Sequence, residues 1–418
     1  MGAQDPIGVA ALEIAPVSLR TNFAWTIAGN LVYGASQWAM LSLIAKLGNS
    51  EILGQYALAV AVASPVAMLS HLNLRAVLAT DMERRHSFHD YLAVRLATAA
   101  AALIATAAIA LVSGYPRPVI AAIVLMGVCL GLENVSDTYY GLMQRRERMD
   151  EIARSMIARG ALSVVVPGVA LWLTHNLVPA IAALALARIA VLLVYDRPRG
   201  SAGENLGCIG FRSQLAIFRT ALPLGVVLML VSLTANVPRY AIERYQGTRE
   251  LGAFAAVASF LAAGAAVVGA LGQSALPRLA RHFSERDVKR FRELALRLIA
   301  LSLALGAAGA LAAALLGRWI LSLAYRPEYA LYHGLFVAVM GAGVLRYAAI
   351  MLGFVLTSAR SFKPQMPLLA AVTATSALAS WLLVPTIGLG GAAVAIALAA
   401  CVQIAGAALI LRRAMSRV

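Results

Sequence analysis

The sequence predicts an all-α polytopic membrane protein with about twelve transmembrane helices, and two observations support this prediction. Hydrophobic residues make up 61% of the 418 residues, whereas charged residues make up only 13%. Apolar runs of about 20 residues, the length that crosses a bilayer, recur along the chain and are separated by charge clusters, Gly and Pro. The predicted spans cover residues 19–46, 53–80, 91–113, 118–144, 155–174, 178–195, 214–244, 250–275, 292–316, 330–357, 366–386 and 390–411.

The positions of Lys and Arg predict how the chain is oriented. The tails and the loops on one side of the predicted spans carry 22 basic residues, and the loops on the other side carry 6. By the positive-inside rule both termini are cytoplasmic. The net charge of +16 therefore indicates orientation rather than nucleic-acid binding. The stretch "PRLARHFSERDVKRFRELALR" (277–297) is predicted to be an amphipathic helix on the cytosolic surface.

The start of the chain, the cysteines and the histidines predict no further chemistry. The opening "MGAQDPIGVAALEIAPVSLR" lacks the basic start and cleavage site of a targeting peptide. The three cysteines are far apart, so neither a disulfide framework nor a thiolate metal site is expected; they are Cys129, Cys208 and Cys401. His86 and His89 lack partners at metal-ligand spacing. We expect neither a bound metal nor a cofactor.

An internal repeat predicts two equivalent halves. The sequence "GNSEILGQYALAVAVASP" follows the first span and "GTRELGAFAAVASFLAAG" follows the seventh, which aligns Gly54 with Gly252. Parallel repeats of this kind form transporters whose substrate cavity lies between the halves. The predicted organisation is a cytoplasmic tail (1–18), a six-helix bundle (19–195), a cytoplasmic linker (196–213), a second six-helix bundle (214–411) and a cytoplasmic tail (412–418).

The loops argue against an enzyme. None exceeds about 20 residues, so there is no predicted extramembrane domain to hold a catalytic site. No Gly-Lys pair occurs, which excludes the P-loop pattern of nucleotide hydrolysis. HExxH, GxSxG and clustered carboxylates at a membrane face are also missing from the sequence. We therefore expect no catalytic residues.

Arginines inside the predicted spans are the most informative charges. There are seven: Arg75, Arg95, Arg159, Arg188, Arg219, Arg239 and Arg346. Each costs about 2.5 to 3.5 kcal/mol at the bilayer centre, so lipid-facing positions are unfavourable. Four lie near the cytosolic surface, where their side chains are expected to snorkel: Arg75, Arg95, Arg159 and Arg219. The deeper three are expected to line a water-filled cavity, with a structural ion pair as the alternative.

Polar side chains form stripes on two equivalent spans. They are Asn22, Thr26, Asn30, Tyr33 and Gln37 in the first span, and Ser232, Asn236, Arg239 and Glu243 in the seventh. Such stripes face water or other helices, and hydrogen bonding between helices is the alternative to a cavity. Because Gln37 aligns with Asn236, we favour a central cleft shared by the halves. Seven arginines against Glu133, Asp137 and Glu243 predict a cationic cleft suited to phosphate oxygens. Few aromatic residues and no acidic cage argue against a site for lipophilic cations.

The two acids of the fourth span belong to a stripe that ends at basic residues. Glu133, Asp137, Tyr140 or Gly141, and Gln144 succeed one another at helical spacing. The stripe is expected to line an inward-opening vestibule or a packed polar seam. Together with Glu243, these acids are predicted to pair with arginines or gate the inner opening. Proton or sodium coupling is the alternative.

Several stretches resemble the polysaccharide-export branch of the multidrug, oligosaccharidyl-lipid and polysaccharide (MOP) exporter superfamily. They are "ENVSDTYYGLMQRRERMDEIARS", "LGNSEILGQYALAVAVASP", "LNLRAVLATD" and "TIGLGGAAVA". The similarity is to flippases of O-antigen and lipopolysaccharide biosynthesis. It implies a fold like that of the superfamily's MATE members, with a central cationic cavity. It also implies translocation of undecaprenyl-pyrophosphate-linked glycans across the bacterial cytoplasmic (inner) membrane by alternating access. A polysaccharide polymerase and a chain-length regulator are the implied protein partners.

The resemblance and the charges together assign roles to named residues. Arg239, Arg346, Arg188 and Arg75 are expected to bind the pyrophosphate, with Gln37 and Asn236 lining the cavity. Related peptidoglycan-precursor flippases carry arginines in their first helices, whereas this chain has no charged residue from 21 to 45. Those roles are therefore not transferred to the first span. The alternatives are a cation-coupled drug or small-molecule exporter of the same superfamily, and a non-transporting scaffold for glycan assembly.

Overall fold

The structure, a computed structural model, describes residues 19–81, 85–201, 210–361 and 364–415, and its regular elements within these ranges are helical. Twelve long helices occur in the predicted order: α1 Leu19–Leu47, α2 Ser50–Thr80, α3 Phe88–Val112, α4 Arg117–Arg145, α5 Met149–Thr174, α6 Leu177–Gly200, α7 Phe211–Gln246, α8 Thr248–Ser284, α9 Val288–Ala324, α10 Pro327–Ser358, α11 Gln365–Ile387 and α12 Leu389–Met415. Helices α2 to α12 are long and apolar enough to cross a membrane, and α1 is a more polar twelfth. The chain is an all-α polytopic membrane protein, as predicted.

Two helices are interrupted by irregular turns. Helix α2 is broken at Leu72 and Asn73, both in the left-handed region with φ of 50° and 51°, before a last short helix Leu74–Thr80. Helix α6 passes through a π-helical turn, Leu192–Asp196, and continues to Gly200. The predicted linker 196–213 therefore starts too early, because Asp196 is part of a helix. Part of that linker lies outside the described residues.

The twelve helices pack as two bundles with the same pattern of neighbours. In the N half (α1–α6), α1 packs on α5, α4 packs on α2, α3 and α6, and α5 packs on α6. In the C half (α7–α12), α7 packs on α11, α10 packs on α8, α9 and α12, and α11 packs on α12. Each contact in one half has its counterpart six helices later. Two six-helix bundles related as parallel repeats explain this pattern.

The two glycines aligned by the sequence repeat meet where α2 crosses α8. A Cβ atom built on Gly54 would lie 1.8 Å from the carbonyl oxygen of Thr248, and one built on Gly252 would lie 1.9 Å from that of Ser50. Gly54 thus meets Thr248, four residues before Gly252, and Gly252 meets Ser50, four residues before Gly54. A twofold axis produces reciprocal contacts of this kind. Only glycine permits this approach of two backbones. The pseudo-twofold axis passes through this crossing.

At the end of the molecule that holds this crossing, α1 of the N half also contacts the end of α9 in the C half. There, Lys46 Nζ donates to the carbonyl of Leu323 at 2.9 Å, and Arg326 donates to the carbonyl of Lys46 at 2.6 Å. Helix α8 is buried throughout Leu251–Ala258 and then exposes one face. On α1, Thr26 and Asn30 are exposed in the part away from the crossing. Because polar side chains avoid lipid, α1 and α8 border a cleft that opens toward the opposite end.

A helical hairpin corrects one prediction about the basic stretch. The sequence 277–297 is not one amphipathic helix, because α8 ends at Ser284 and α9 begins at Val288. Asp287 accepts a hydrogen bond from the backbone nitrogen of Arg290 at 3.0 Å and so caps α9. Each helix has 37 residues and is roughly 55 Å long, which exceeds the ~30 Å hydrocarbon core. The basic ends of α8 and α9 therefore extend past the membrane.

Candidate functional site

Glu133 on α4 is the centre of a polar cluster that borders the cleft. Its carboxylate pairs with Arg188 NH1 of α6 at 3.0 Å and accepts a hydrogen bond from the hydroxyl of Tyr33 on α1. The Arg188 side chain is only 5% exposed and also donates to the carbonyl of Cys129 at 2.7 Å. Glu133 is 29% exposed. Of the two partners, the acid faces the cleft and the arginine lies behind it, in an ion pair.

Asp137, one helical turn further along α4, belongs to a second group that we call the inner cluster: His71, Arg75, Asp137 and Gln144. His71 Nε2 lies 3.2 Å from Asp137, and Arg75 NH1 lies 3.4 Å from it. Arg75 Nε donates to Gln144 Oε1 at 2.8 Å. The break in α2 brings His71 and Arg75 onto the face of α4. Their side chains are 21% and 29% exposed, so water reaches this cluster.

Two arginines that were expected to snorkel are buried instead. Arg159 is 4% exposed and pairs with Asp196 of α6 at 3.0 Å, where Ser155 also donates to Asp196. Arg95 is fully buried and donates to Thr138 Oγ1 at 2.9 Å and to the carbonyl of Ser70 at 2.8 Å. The snorkelling prediction is wrong for both. Each holds helices of the N half together.

Arg239 on α7 has an amide partner in place of an acidic one. Its NH1 donates to Asn236 Oδ1 at 2.9 Å, while its buried Nε has no hydrogen-bond partner in the described part of the chain. Asn236 in turn donates to Ser64 Oγ of α2 at 3.0 Å, across the junction of the halves. No carboxylate of the described ranges lies within ion-pair distance of Arg239. This guanidinium keeps its charge unneutralised.

Arg346 on α10 lies elsewhere, inside the C half. Its NH1 donates to Gln403 Oε1 of α12 at 3.1 Å. It lines a cavity of about 400 Å³ formed by α7, α10, α11 and α12. Within the described ranges, Arg346 has no acidic partner. Arg346 is thus a second arginine without an acid, and its side-chain hydrogen-bond partner is the amide of Gln403.

The last two predicted residues occupy different places. Gln37 is half-buried on α1, on the polar stripe that borders the cleft. Glu243 lies at the far end of α7, where it accepts a hydrogen bond from Tyr115 at 3.4 Å. Tyr115 stands in the connection between α3 and α4, at the opposite end of α4 from Gln144. The structure therefore separates Glu243 from the inner cluster.

These positions change the predicted distribution of charge. Asp196 was assigned to a linker, but it is fully buried and neutralises Arg159. The two acids of the predicted fourth span each hold an arginine, in the pairs Glu133–Arg188 and Asp137–Arg75. The predicted positive excess is therefore not spread over one cavity. Among the buried or partly buried arginines it lies on Arg239 at the junction, on Arg346 in the C half and on Arg95, which is bonded to Thr138 and Ser70 inside the N half.

Comparisons with known proteins identify the family. A family model described as "Polysaccharide biosynthesis protein" matches residues 19–283. The capsular polysaccharide biosynthesis protein CapF of Staphylococcus aureus is 24% identical over 380 residues, covering 90% of this chain and 94% of CapF. The lipid II flippase MurJ in an inward closed conformation gives a TM-score of 0.75 at 9% identity, covering 94% of this chain and 89% of MurJ. An inward-facing MATE multidrug resistance transporter gives 0.69 at 15% identity, covering 97% and 96%. The chain therefore belongs to the polysaccharide biosynthesis protein family, and its fold is that of the MATE and MurJ structures.

Proposed function

We propose that this protein is a flippase that moves a polyprenyl-pyrophosphate-linked oligosaccharide, an O-antigen or exopolysaccharide repeat unit, across the bacterial cytoplasmic membrane. Membership of the polysaccharide biosynthesis family and the similarity to a capsular polysaccharide protein support a glycan-linked substrate. The proposal includes both termini in the cytoplasm, which places the open end of the cleft on the side where such substrates are assembled. Transport follows alternating access, with the two halves rocking about their junction.

The observation that carries the proposal is the unneutralised Arg239 at this junction. A guanidinium buried without an acid is costly, and an anionic ligand removes that cost by supplying the missing charge. The arginine has donors left over after its bond to Asn236, and one of them, Nε, is buried and unpartnered. Two oxygens of a pyrophosphate match a guanidinium fork bidentately. Arg239 is therefore the proposed pyrophosphate ligand, with Asn236 orienting it and Gln37 facing it from α1.

The paired arginines receive a different role in this proposal. Arg188 is engaged by Glu133 and by the carbonyl of Cys129, which leaves it to hold α4 and α6 together. Arg75 is more open, and it lies beside Asp137 near the end of α4 that faces the cleft opening. There Arg75 can release Asp137 and bind an incoming anion. The inner cluster thus serves as the inner gate.

A cation-coupled drug exporter fits the charges less well. A site for a cationic drug requires carboxylates that face the cavity without a bound arginine. Glu133 and Asp137 border the cleft, but each already neutralises an arginine. The cavity of the C half contains Arg346 and no acid among its lining residues. Both compartments therefore favour anions.

Complementation of a panel of flippase-null bacterial strains tests the proposal. We expect the wild-type chain to restore surface polysaccharide in at least one strain and to clear the accumulated lipid-linked intermediate, whose identity then names the glycan. Arg239→Ala should abolish this rescue while membrane abundance stays unchanged, whereas Arg219→Ala, an exposed arginine of the same helix, should rescue fully. Normal surface polysaccharide with Arg239→Ala would contradict the proposal. Drug resistance without any glycan rescue would favour the exporter instead.

A further inference from the structure

The cavity of the C half has the chemistry of a binding site in its own right. Its volume of about 400 Å³ is within the range of small-molecule sites. It accommodates a phosphate and a short apolar segment. The cavity extends from Arg346 and Gln403, in the middle of α10 and α12, to Thr357 and Gln365. These last two residues are near the inner ends of α10 and α11, on the side where the cleft opens.

Most of the cavity wall is apolar. The apolar side chains come from α7, α10, α11 and α12: Val227, Leu228, Val231, Ile350, Phe354, Leu356, Leu368, Leu369, Val372 and Ala407. A lipid chain enters such a cavity from the bilayer without dehydrating any polar group, whereas the sugar of a soluble sugar phosphate would lose hydration there. The wall therefore selects a ligand with an apolar part.

Two polar side chains of the cavity have donors without an acceptor. Arg346 uses one nitrogen on Gln403 and has no acidic partner in the part of the chain that is described. Gln365 Nε2 is buried and has no hydrogen-bond partner. Because Arg346 lies in the middle of α10 and Gln365 at the start of α11, one phosphate cannot reach both. The guanidinium fork of Arg346 is the group that fits phosphate oxygens.

A glycine keeps this space open. Arg346, Ile350, Gly353 and Thr357 follow one another at spacings of three and four on the same face of α10, and all line the cavity. A Cβ atom on Gly353 would meet nothing within 4 Å, so the missing side chain is itself part of the empty volume. This open space lies between Arg346 and Thr357 on the cavity side of α10.

We propose that this cavity binds a lipid phosphate, with the phosphate on Arg346 and the first part of the lipid chain along α7 and α11. This inference rests on the proposed function but concerns a second site, because the pyrophosphate of the glycan-linked substrate is assigned to Arg239 at the junction. The same chemistry is shared by a polyprenyl phosphate carrier and by an anionic membrane phospholipid. Both sources have the required phosphate and chain.

Direct binding to the purified full-length protein in zwitterionic nanodiscs tests this proposal. The probes are farnesyl diphosphate, short-chain phosphatidylglycerol and inorganic diphosphate. We expect one of the two lipids to bind at least tenfold more tightly than inorganic diphosphate. Preference for farnesyl diphosphate assigns the site to the carrier, and preference for phosphatidylglycerol assigns it to membrane lipid. Equal binding of inorganic diphosphate, or no binding of either lipid, would overturn the proposal.

Two variants with matched controls locate the site. Arg346→Gln should weaken lipid binding at least about tenfold, since a charge-assisted hydrogen bond is lost, whereas Arg318→Gln, exposed on α9, should not. Gly353→Leu should block the cavity, whereas Gly341→Leu, on the same helix with open space and outside the cavity, should bind normally. Unchanged binding by both cavity variants would refute the assignment. Glycan export by the same variants is measured separately in null strains. A variant that loses lipid binding but exports glycan normally would show that the lipid site exists and is not needed for transport.

Discussion

Equivalent helices of the two halves hold their arginines in different ways. Between α4 and α6 of the N half, Arg188 pairs with the carboxylate of Glu133 at 3.0 Å. Between α10 and α12 of the C half, Arg346 meets the amide of Gln403 at 3.1 Å. The packing is repeated, but the charge is neutralised in one half only. The comparison shows that a repeat preserves its helix contacts while one copy pairs its arginine with an acid and the other leaves its arginine without one.

The physical cost of each arrangement supports this division. Removing one member of a buried ion pair leaves an uncompensated charge, which costs about 3–5 kcal/mol. A guanidinium that already lacks an acid gives up no such partner when it is replaced. Mutations of paired and unpaired arginines should therefore separate stability from transport.

The largest expected loss of stability follows Arg188→Ala. It should lower the free energy of unfolding by about 3 kcal/mol, the lower end of that range because Glu133 is 29% exposed. Denaturant titration in detergent measures the change, with Arg219→Ala as the exposed control. Replacing both Arg188 and Glu133 by Leu should recover most of the loss, since neither charge then stays unpaired. A single mutant as stable as the wild type would show that the pair is not structural.

A smaller loss is expected at the crossing that both halves share. In Gly252→Ala the new methyl group would lie 1.9 Å from the carbonyl oxygen of Ser50, so the helices must separate. Overpacking of this kind costs about 1–3 kcal/mol. Gly269→Ala, on the same helix with open space, is the control and should be neutral or slightly stabilising. Equal stability of the two variants in the same titration would argue against a tight crossing.

The inner cluster should contribute least among the charged pairs. Asp137→Asn should lower stability by no more than about 1 kcal/mol, because Arg75 and His71 are partly exposed and their pairing is screened by water. If charge pairing is its role, export by Asp137→Asn should also be independent of external pH. Uptake and export assays in proteoliposomes at acidic and neutral external pH measure this. If Asp137→Asn instead loses the part of export that depends on the pH gradient, ion coupling at Asp137 would be favoured.

The course of the helices could be predicted from the sequence, because apolar length and charge clusters depend on local composition. The match of Gly54 to Gly252 could be predicted too, and the structure explains it as one crossing. The partners of the arginines could not be predicted. Arg159 and Asp196 are 37 residues apart, and Asp196 followed by Arg197 resembles the start of a loop. Only the π-helical turn at the end of α6 places this acid inside the bundle.

Gln403 and His71 were not predicted as partners of charged side chains, and of the two only Gln403 had a signal in the sequence. Gln403 is the only amide side chain in the apolar sequence of α12, and a lone polar residue at membrane depth commonly has a partner. His71 stands where α2 breaks, and no local pattern indicated that the break would bring it to Asp137. Arg95 was placed near the surface by its position in the chain, but tertiary packing buries it completely. Tertiary contacts decide these cases.

Arg239 and Arg346, which have no acidic partner, are proposed to serve transport, whereas Arg188 is proposed to serve stability through its pair with Glu133. Unfolding free energy and rescue of surface polysaccharide, measured for Arg239→Gln, Arg346→Gln and Arg188→Gln in one null strain, test this division. We expect Arg239→Gln and Arg346→Gln to destabilise the protein less than Arg188→Gln does, because neither leaves a carboxylate unpaired. Arg239→Gln should lose rescue and Arg346→Gln should lose lipid binding, whereas Arg188→Gln should retain rescue in proportion to its remaining abundance. Full rescue by Arg239→Gln, or a loss of its stability equal to that of Arg188→Gln, would contradict this division.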